Sequence, residues 1–288
     1  MQARIFLLLA YFFHSASLFS DYNYKLGALL IFRDEAPYLK EWIEYHKLLG
    51  VQKFYCYNNL SQDNPKKVLK PYIDSGEVEL LSWNMESTNN QEWNACQCLA
   101  YTDGMIRALK DKVKWLCVID SDEFLVPRTK STLLEVLKPY EKDNKLGGVR
   151  VMWVMFGTSN VKKIPENKLL IESLTLNEGY KGGMWKSICR PDRVNCGTLV
   201  GCHTPEYLYG YHDKTLSFEE MQCNHYWTRD EDYLFNIKIP RKIKLSDGVS
   251  LETCLEWNES FNKETVAGEA ILKFIPALRK KMGLLLSR

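Results

Sequence analysis

An alternation of short apolar runs with helix-patterned segments over residues 26–119 constrains this chain most. Residues 26–32 form a compact apolar run suited to a buried strand. Asp34 then offers a helix N-cap, with Glu35 and Pro37 in the first turn. Leu39, Trp42, Ile43, His46 and Leu49 recur at helical spacing, and Gly50 can end that helix. Residues 51–57 predict a second strand and 58–65 a polar loop rich in turn formers. Residues 66–73 read as helix, 78–82 as strand, 91–110 as a longer helix interrupted by Gly104, and 114–119 as a fourth strand. This βαβαβαβ order predicts an α/β fold: a mostly parallel sheet flanked by helices, with right-handed crossovers. Ligands of such sheets bind beyond the C-terminal strand ends. The loops that begin at Arg33, Asn58, Trp83 and Asp120 meet that description.

Beyond Pro127 the pattern is less regular. Ser131 can cap a helix that ends near Tyr140, and residues 148–155 predict a strand. Residues 157–225 are mixed, and the C-terminal stretch is helical. Its segment 274–281 is basic and amphipathic, as a solvated terminal helix or a peripheral membrane helix would be.

With 288 residues and 45% hydrophobic content the chain can bury a sizeable core. Its 38 basic and 36 acidic residues leave a formal charge of +2, without the basic excess of a nucleic-acid binder. Residues 1–20 stand apart. Arg4, an apolar run at 5–13 and the small residues Ser15-Ala16-Ser17 predict a secretory signal peptide or a short hydrophobic anchor. The run is short for a transmembrane helix. There are nine cysteines. Cys117 reads as a core thiol, while Cys189, Cys196, Cys202 and Cys223 could form disulfides in an oxidising compartment. Their spacing is poor for zinc. Asn258-Glu259-Ser260 is a glycosylation sequon.

The sharpest chemical signal is Asp120-Ser121-Asp122-Glu123-Phe124, which follows the buried run 115–119 directly. Acids at the end of a core strand are costly unless paired or metal-bound. Asp120 and Asp122 are two apart, so both can approach one cation while Ser121 points elsewhere. Hard oxygen donors favour Mn2+ or Mg2+, which would bridge the phosphates of a nucleotide diphosphate. The plainer reading is a solvated acidic turn. Arg33-Asp34-Glu35 marks a strand-to-helix junction, where backbone amides and Arg33 favour a phosphate or ribose, or where Asp34 merely caps. Residues 57–63, with Asn58, Asn59 and Asp63, can bond a base or ribose edge, or make a turn. His225, in Cys223-Asn224-His225-Tyr226-Trp227, could complete a cation's shell, though core or surface histidines are commoner.

Taken together these segments resemble glycosyltransferase family 92 and related family-2-like transferases with a GT-A fold. Residues 32–46 with Gly50-Val51 look like that family's "KNE…EW…YH…G" opening, with Arg33-Asp34 in place of Lys-Asn. Residues 57–63 look like its "Y-[DN]-N-x-S-x-D" loop, and 115–124 like its "W-x-x-x-x-D-x-D-E-F" segment. Residues 153–159, Lys186-Ser187-Ile188 and Asn224-His225-Tyr226-Trp227 are similar to later landmarks. The similarity covers about residues 26–240.

The resemblance implies a GT-A-type, Rossmann-like domain over residues 21–288. It has a nucleotide-binding half at about 25–127, an irregular acceptor-side half at about 128–240 and a helical segment at 241–288. It implies a metal-dependent, inverting transfer of a hexose from a UDP-sugar to a glycan or other hydroxyl acceptor, with Mn2+ or Mg2+. Asp122 would ligate the metal, Asp120 would face ribose or metal, and His225 would be a further ligand. Arg33, Glu35, Asn59 and Asp63 would line the nucleotide pocket. Arg33 in place of lysine alters that pocket, since the two cations are not interchangeable.

An inverting displacement also needs a base for the acceptor hydroxyl. Glu231 and Asp230 are candidates from their closeness to His225, with Glu123 a weaker one. Trp153, Trp185 and Trp227 could stack on an acceptor sugar. The competing readings are a haloacid-dehalogenase-like phosphatase, a nucleotidyltransferase and a non-catalytic carbohydrate-binding module. Phe124 stands where the first would place Thr or Val, and Gly27 alone does not make the glycine-rich loop of the second. The expected setting is membrane-associated or a secretory, Golgi-type lumen, with the cytoplasmic face of a bacterial membrane as the alternative.

Overall fold

The computed structural model describes residues 21–246, 248–263 and 266–284. The expected signal or anchor at residues 1–20 lies outside them.

Four parallel strands form the first half of the sheet, in the order β3-β2-β1-β4. They are β1 (Tyr24–Phe32), β2 (Lys53–Asn58), β3 (Val78–Ser82) and β4 (Val113–Val118). Helices α1 (Ala36–Leu48), α2 (Pro65–Asp74) and α3 (Asn90–Lys110) connect them. β1 is buried on both faces, and its pleat sorts the side chains. Leu26, Ala28, Leu30 and Phe32 join the cluster that contains Trp42 and Ile43 of α1. Leu29 and Ile31 join the cluster that contains Ala100 and Met105 of α3. Gly104 is the point of closest approach there, because a Cβ on it would run into the Leu29 side chain.

The start of α1 departs from expectation. Asp34 does not cap it. It adopts φ 58°, a left-handed conformation that aspartate tolerates, and its Oδ1 accepts from the Gln62 amide at 2.6 Å. Asp63, in the loop after β2, caps the helix instead by accepting from the Ala36 amide at 2.7 Å.

Five more strands complete a nine-stranded sheet among the described residues. They are β5 (Glu123–Pro127), β6 (Leu146–Met155), β7 (Trp185–Cys189), β8 (His212–Thr215) and β9 (Met221–His225). β7 joins β4 antiparallel, and the sheet continues as β7-β6-β9-β5, with β8 also on β6. Sequence patterning anticipated only β6. β5 begins inside the acidic motif, and its partner β9 lies far along the chain, so no local period reveals it. α4 (Leu133–Leu137) starts in a capping box on Thr132 and Glu135, one residue later than the expected Ser131 cap.

α1 stitches the halves together with polar side chains. Trp42 Nε1 donates to the Glu123 carbonyl at 2.9 Å, and Tyr45 Oη donates to the Leu125 carbonyl at 2.9 Å. His46 Nδ1 lies 2.8 Å from the Trp42 carbonyl, and the Leu125 amide donates to His46 Nε2 at 3.5 Å. Glu41 accepts from the Leu170 and Ile171 amides at the start of α5 (Leu170–Ser173). The "EW…YH" part of the opening motif is therefore a set of fasteners between α1 and the second half.

The C-terminal elements are α6 (Glu231–Tyr233), a π turn at Leu234–Lys238, α7 (Ile239–Leu245), α8 (Leu251–Phe261) and α9 (Ile275–Met282). The basic, amphipathic α9 packs on α1 with Leu278 fully buried, and its Arg279 pairs with Glu172 at 2.5 Å. Its apolar face is thus covered by protein, which argues against the peripheral membrane role. Among the described residues no helix is long and apolar enough to cross a membrane.

Candidate active site

Asp120, Ser121 and Asp122 occupy the turn between β4 and β5. The Glu123 amide donates to the Asp120 carbonyl at 3.1 Å, and the Asp120 amide donates to Glu123 Oε2 at 2.8 Å. This tight turn sends the two aspartates to different partners. Asp120 accepts from Tyr101 Oη on α3 at 2.8 Å and pairs with Lys186 Nζ of β7 at 2.7 Å. Asp122 Oδ2 pairs with Lys238 at 3.1 Å, and its Oδ1 lies 3.5 Å from His225 Nε2. The β5–β9 ladder delivers His225 to the motif: His225 is in register with Glu123, and the Tyr226 amide donates to the Asp122 carbonyl at 2.8 Å.

Burial sets the electrostatics. It would raise the Asp122 carboxyl, but Lys238, His225 and Arg229 outweigh it and hold that group well below the usual range. Glu123 is fully buried, and burial pushes it up to about 7 despite Lys186, with Asp120 adding to the rise. Burial would lower Lys186, yet Asp120 and Glu123 more than reverse this and keep it charged. In the sequence Lys186 stands out only as part of the Lys186-Ser187-Ile188 landmark. A lysine inside a strand-like run is ordinary at a solvent-facing position; Lys186 is buried and therefore needs its acidic partners Asp120 and Glu123.

The motif opens into a cleft of about 600 Å³. Arg33, Glu35, Asp120, Asp122 and His225 line it, as do Trp153 and Trp227 but not Trp185. The Glu35 carboxylate is already committed, to Arg229 and to Tyr233 Oη at 3.1 Å. Arg229 is itself sandwiched between the Tyr38 and Tyr233 rings, at 3.6 and 4.5 Å from their centroids.

Several expected site residues hold the frame instead. Asn59 is fully buried; its Nδ2 donates to the Trp83 and Met85 carbonyls at 2.7 Å, while Oδ1 accepts from Arg33. It brackets three loops and does not line the cleft. Asp63 caps α1, as described. Asp230 caps α6 through the Tyr233 amide at 2.9 Å and ties down the Ile164 amide at 2.8 Å. Neither Asp230 nor Glu231 is among the residues lining the cleft. The nine cysteines are free thiols. Cys189 and Cys223 are buried on separate strands, and the Cys202 Sγ lies 3.9 Å from that of Cys98.

The donor set fits a hard or borderline divalent cation at Asp122 and His225. A spacing of 3.5 Å suits two neighbouring ligands of one ion. His225 Nδ1 and Glu123 Oε1 are both buried without a hydrogen-bond partner and lie 3.9 Å apart. A carboxylate behind the imidazole is the usual way to aim Nε2 at a metal. Asp120 fits less well, since Tyr101 and Lys186 already engage both its oxygens. Among the described residues no three of His, Cys, Asp and Glu converge as a complete shell.

The chain matches the model of glycosyltransferase family 92 over residues 29–277. A rice glycosyltransferase family 92 protein is 30% identical over 199 residues, 67% of this chain and 32% of the rice protein. A Caenorhabditis elegans beta-1,4-galactosyltransferase is 26% identical over 220 residues, 74% of this chain and 50% of that protein. This chain therefore spans about a third to a half of the length of these relatives. Among solved structures, a Pyrobaculum calidifontis mannosyltransferase in complex with GDP-Man and Mn2+ is similar over 92% of this chain and 76% of that one. Its identity is 11% and its TM-score 0.46. The family match covers most of the sequence, from the middle of β1 into α9, and the chain belongs to glycosyltransferase family 92.

Proposed function

We propose that this chain transfers a hexose from a UDP-sugar to a hydroxyl acceptor, by a single inverting displacement that depends on Mn2+. The observation that carries the reading is the meeting of Asp122 with His225 at the C-terminal end of a central parallel strand, in a cleft that can seat a nucleotide sugar. Family membership supports the reaction class, and the galactosyltransferase name of the C. elegans relative supports a hexose.

In this reading Asp122 and His225 hold the cation. When bound, it would stabilise the negative charge of the departing diphosphate. The chain's own cations act on the same charge. Arg33, Lys238, Arg241 and Lys242 line the cleft and give a diphosphate several donors. Lys238 is free to turn from Asp122 to phosphate, since an ammonium is a mobile point charge. Lys186 and Tyr101 keep Asp120 fixed, so its carboxylate presents a set edge toward the ribose. Trp153 and Trp227 offer aromatic faces for an acceptor sugar.

A panel of nucleotide sugars, with and without Mn2+ and with a chelator, tests this reading through UDP release and product formation. Full transfer in chelator, or by a folded Asp122→Ala protein, would remove the metal. Binding without turnover would favour a non-catalytic carbohydrate module, and pyrophosphate release a nucleotidyltransferase.

A further inference from the structure

We propose that His203 is the base that takes the proton of the acceptor hydroxyl, through its Nε2 atom. This rests on the transfer reaction proposed above. His203 belongs to the loop that follows β7, and it lines the cleft. Its Nδ1 lies 2.9 Å from the Trp185 carbonyl oxygen. A carbonyl can only accept, so Nδ1 carries a proton and the neutral ring keeps its lone pair on Nε2. Among the described residues no hydrogen bond or ion pair engages that Nε2.

The ring is also held in place. Ser187 Oγ donates to the His203 backbone carbonyl, and the ring packs edge-on against Trp153 at 5.3 Å. Trp153 packs on its other neighbour, His225, at 4.4 Å. One tryptophan thus contacts both histidines: His225 with Asp122 beside it, and His203 with an uncommitted acceptor. The cleft carboxylates differ from His203 in this respect. Glu35, Asp120 and Asp122 are each paired with a cation, and Asp34 turns one oxygen to the Gln62 amide.

The charged and titratable groups around the ring come from three elements: Lys186 on β7, Asp120 after β4 and His225 on β9. Burial lowers the His203 pKa most, the bond to the Trp185 carbonyl raises it, Lys186 lowers it, Asp120 raises it and His225 lowers it. The net shift is downward, which keeps the ring neutral and able to accept a proton near neutral pH. In the step itself, the acceptor oxygen bonds to the anomeric carbon as that carbon's bond to the phosphate oxygen breaks. The bonding pair leaves with the diphosphate. The hydroxyl proton passes to Nε2, and the resulting imidazolium returns it to solvent.

The test is His203→Asn, whose amide can still donate to the Trp185 carbonyl. We expect kcat to fall about 10²–10⁴-fold, with the donor KM and the Mn2+ affinity of the free enzyme unchanged. The acid limb of wild-type kcat should lie below the ordinary imidazole range and vanish in the variant. A kcat within about tenfold of wild type, beneath the usual contribution of a general base, would overturn the assignment. An unchanged acid limb would do the same, because it would belong to the buried Glu123. Weakened Mn2+ binding would make His203 a ligand rather than a base. A larger loss in Asp34→Asn, which removes the other cleft group with an open oxygen, would move the role to Asp34. A wild-type protein that turns over no nucleotide sugar sinks the transferase reading itself, a result distinct from all of these.

Discussion

In the parallel half of the sheet, β1, β2 and β3 are neighbours joined in turn by the single helices α1 and α2, and α3 crosses from β3 at one edge back over β1 to β4. In the antiparallel half, Glu123 pairs with His225 and Leu116 with Cys189, contacts that no local pattern encodes. The two halves bring paired opposite charges together at the acidic motif. The parallel half ends in Asp120 and Asp122. The second half returns Lys186, His225 and Lys238 to meet them. Neither half holds the site alone, since the acids need counter-charges to be buried and the cations need the acids.

Removing one counter-charge should break this arrangement most severely. Lys186→Met would leave Asp120 and Glu123 facing each other without a cation. We expect a loss of about 3–5 kcal/mol in denaturant unfolding. Adding Glu123→Gln should recover part of it, and additive losses would show that the two do not form one unit. Next in size is Asp122→Asn, which should lower kcat by about 10²–10³-fold and weaken Mn2+ binding more than it lowers the unfolding midpoint. Asp120→Asn should reverse that balance, with stability hit harder than metal affinity. Equal effects from the two aspartates would erase the division of labour.

The seam between the halves is sensitive to acid. Burial lowers His46 to about 3, with the Trp42 carbonyl opposing the shift. Its folded pKa lies below the unfolded value, so its stabilisation is present above the ordinary imidazole pKa and drains away as pH falls. Protonation would also break the bond from the Leu125 amide. Between pH 7 and pH 5 the loss should be on the order of 2 kcal/mol. Glu41 and Glu123, both raised to about 7 by burial, act in the opposite direction over that window. The informative quantity is therefore the difference in pH slope between wild type and His46→Gln, measured by thermal unfolding. Identical slopes would mean that His46 is not the acid-sensitive fastener. The smallest effect belongs to a local feature of the second half. Thr132→Ala removes the capping box of α4 and should cost about 1 kcal/mol. A loss as large as that of Lys186→Met would contradict the view that non-local contacts dominate this half.

Residues 26–119 alone determined the strand and helix order of the parallel half, because its signals are local periods and turn residues. The position of Asp120 and Asp122 after β4 was equally legible, as acids directly behind an apolar strand. Family-like landmarks at Lys186 and His225 were visible too, but not what they touch. Tertiary structure decided that β5 starts within the acidic motif, because a strand of five residues exists only through its ladder to β9. It turned Asn59, Asp63 and Asp230 into brackets and caps, since each lies within reach of backbone amides or carbonyls that need partners. It also separated the two aspartates, giving Asp120 to Lys186 and Asp122 to His225. That choice depends on where β7 and β9 return to the sheet, and a ladder between distant segments leaves no period in the sequence.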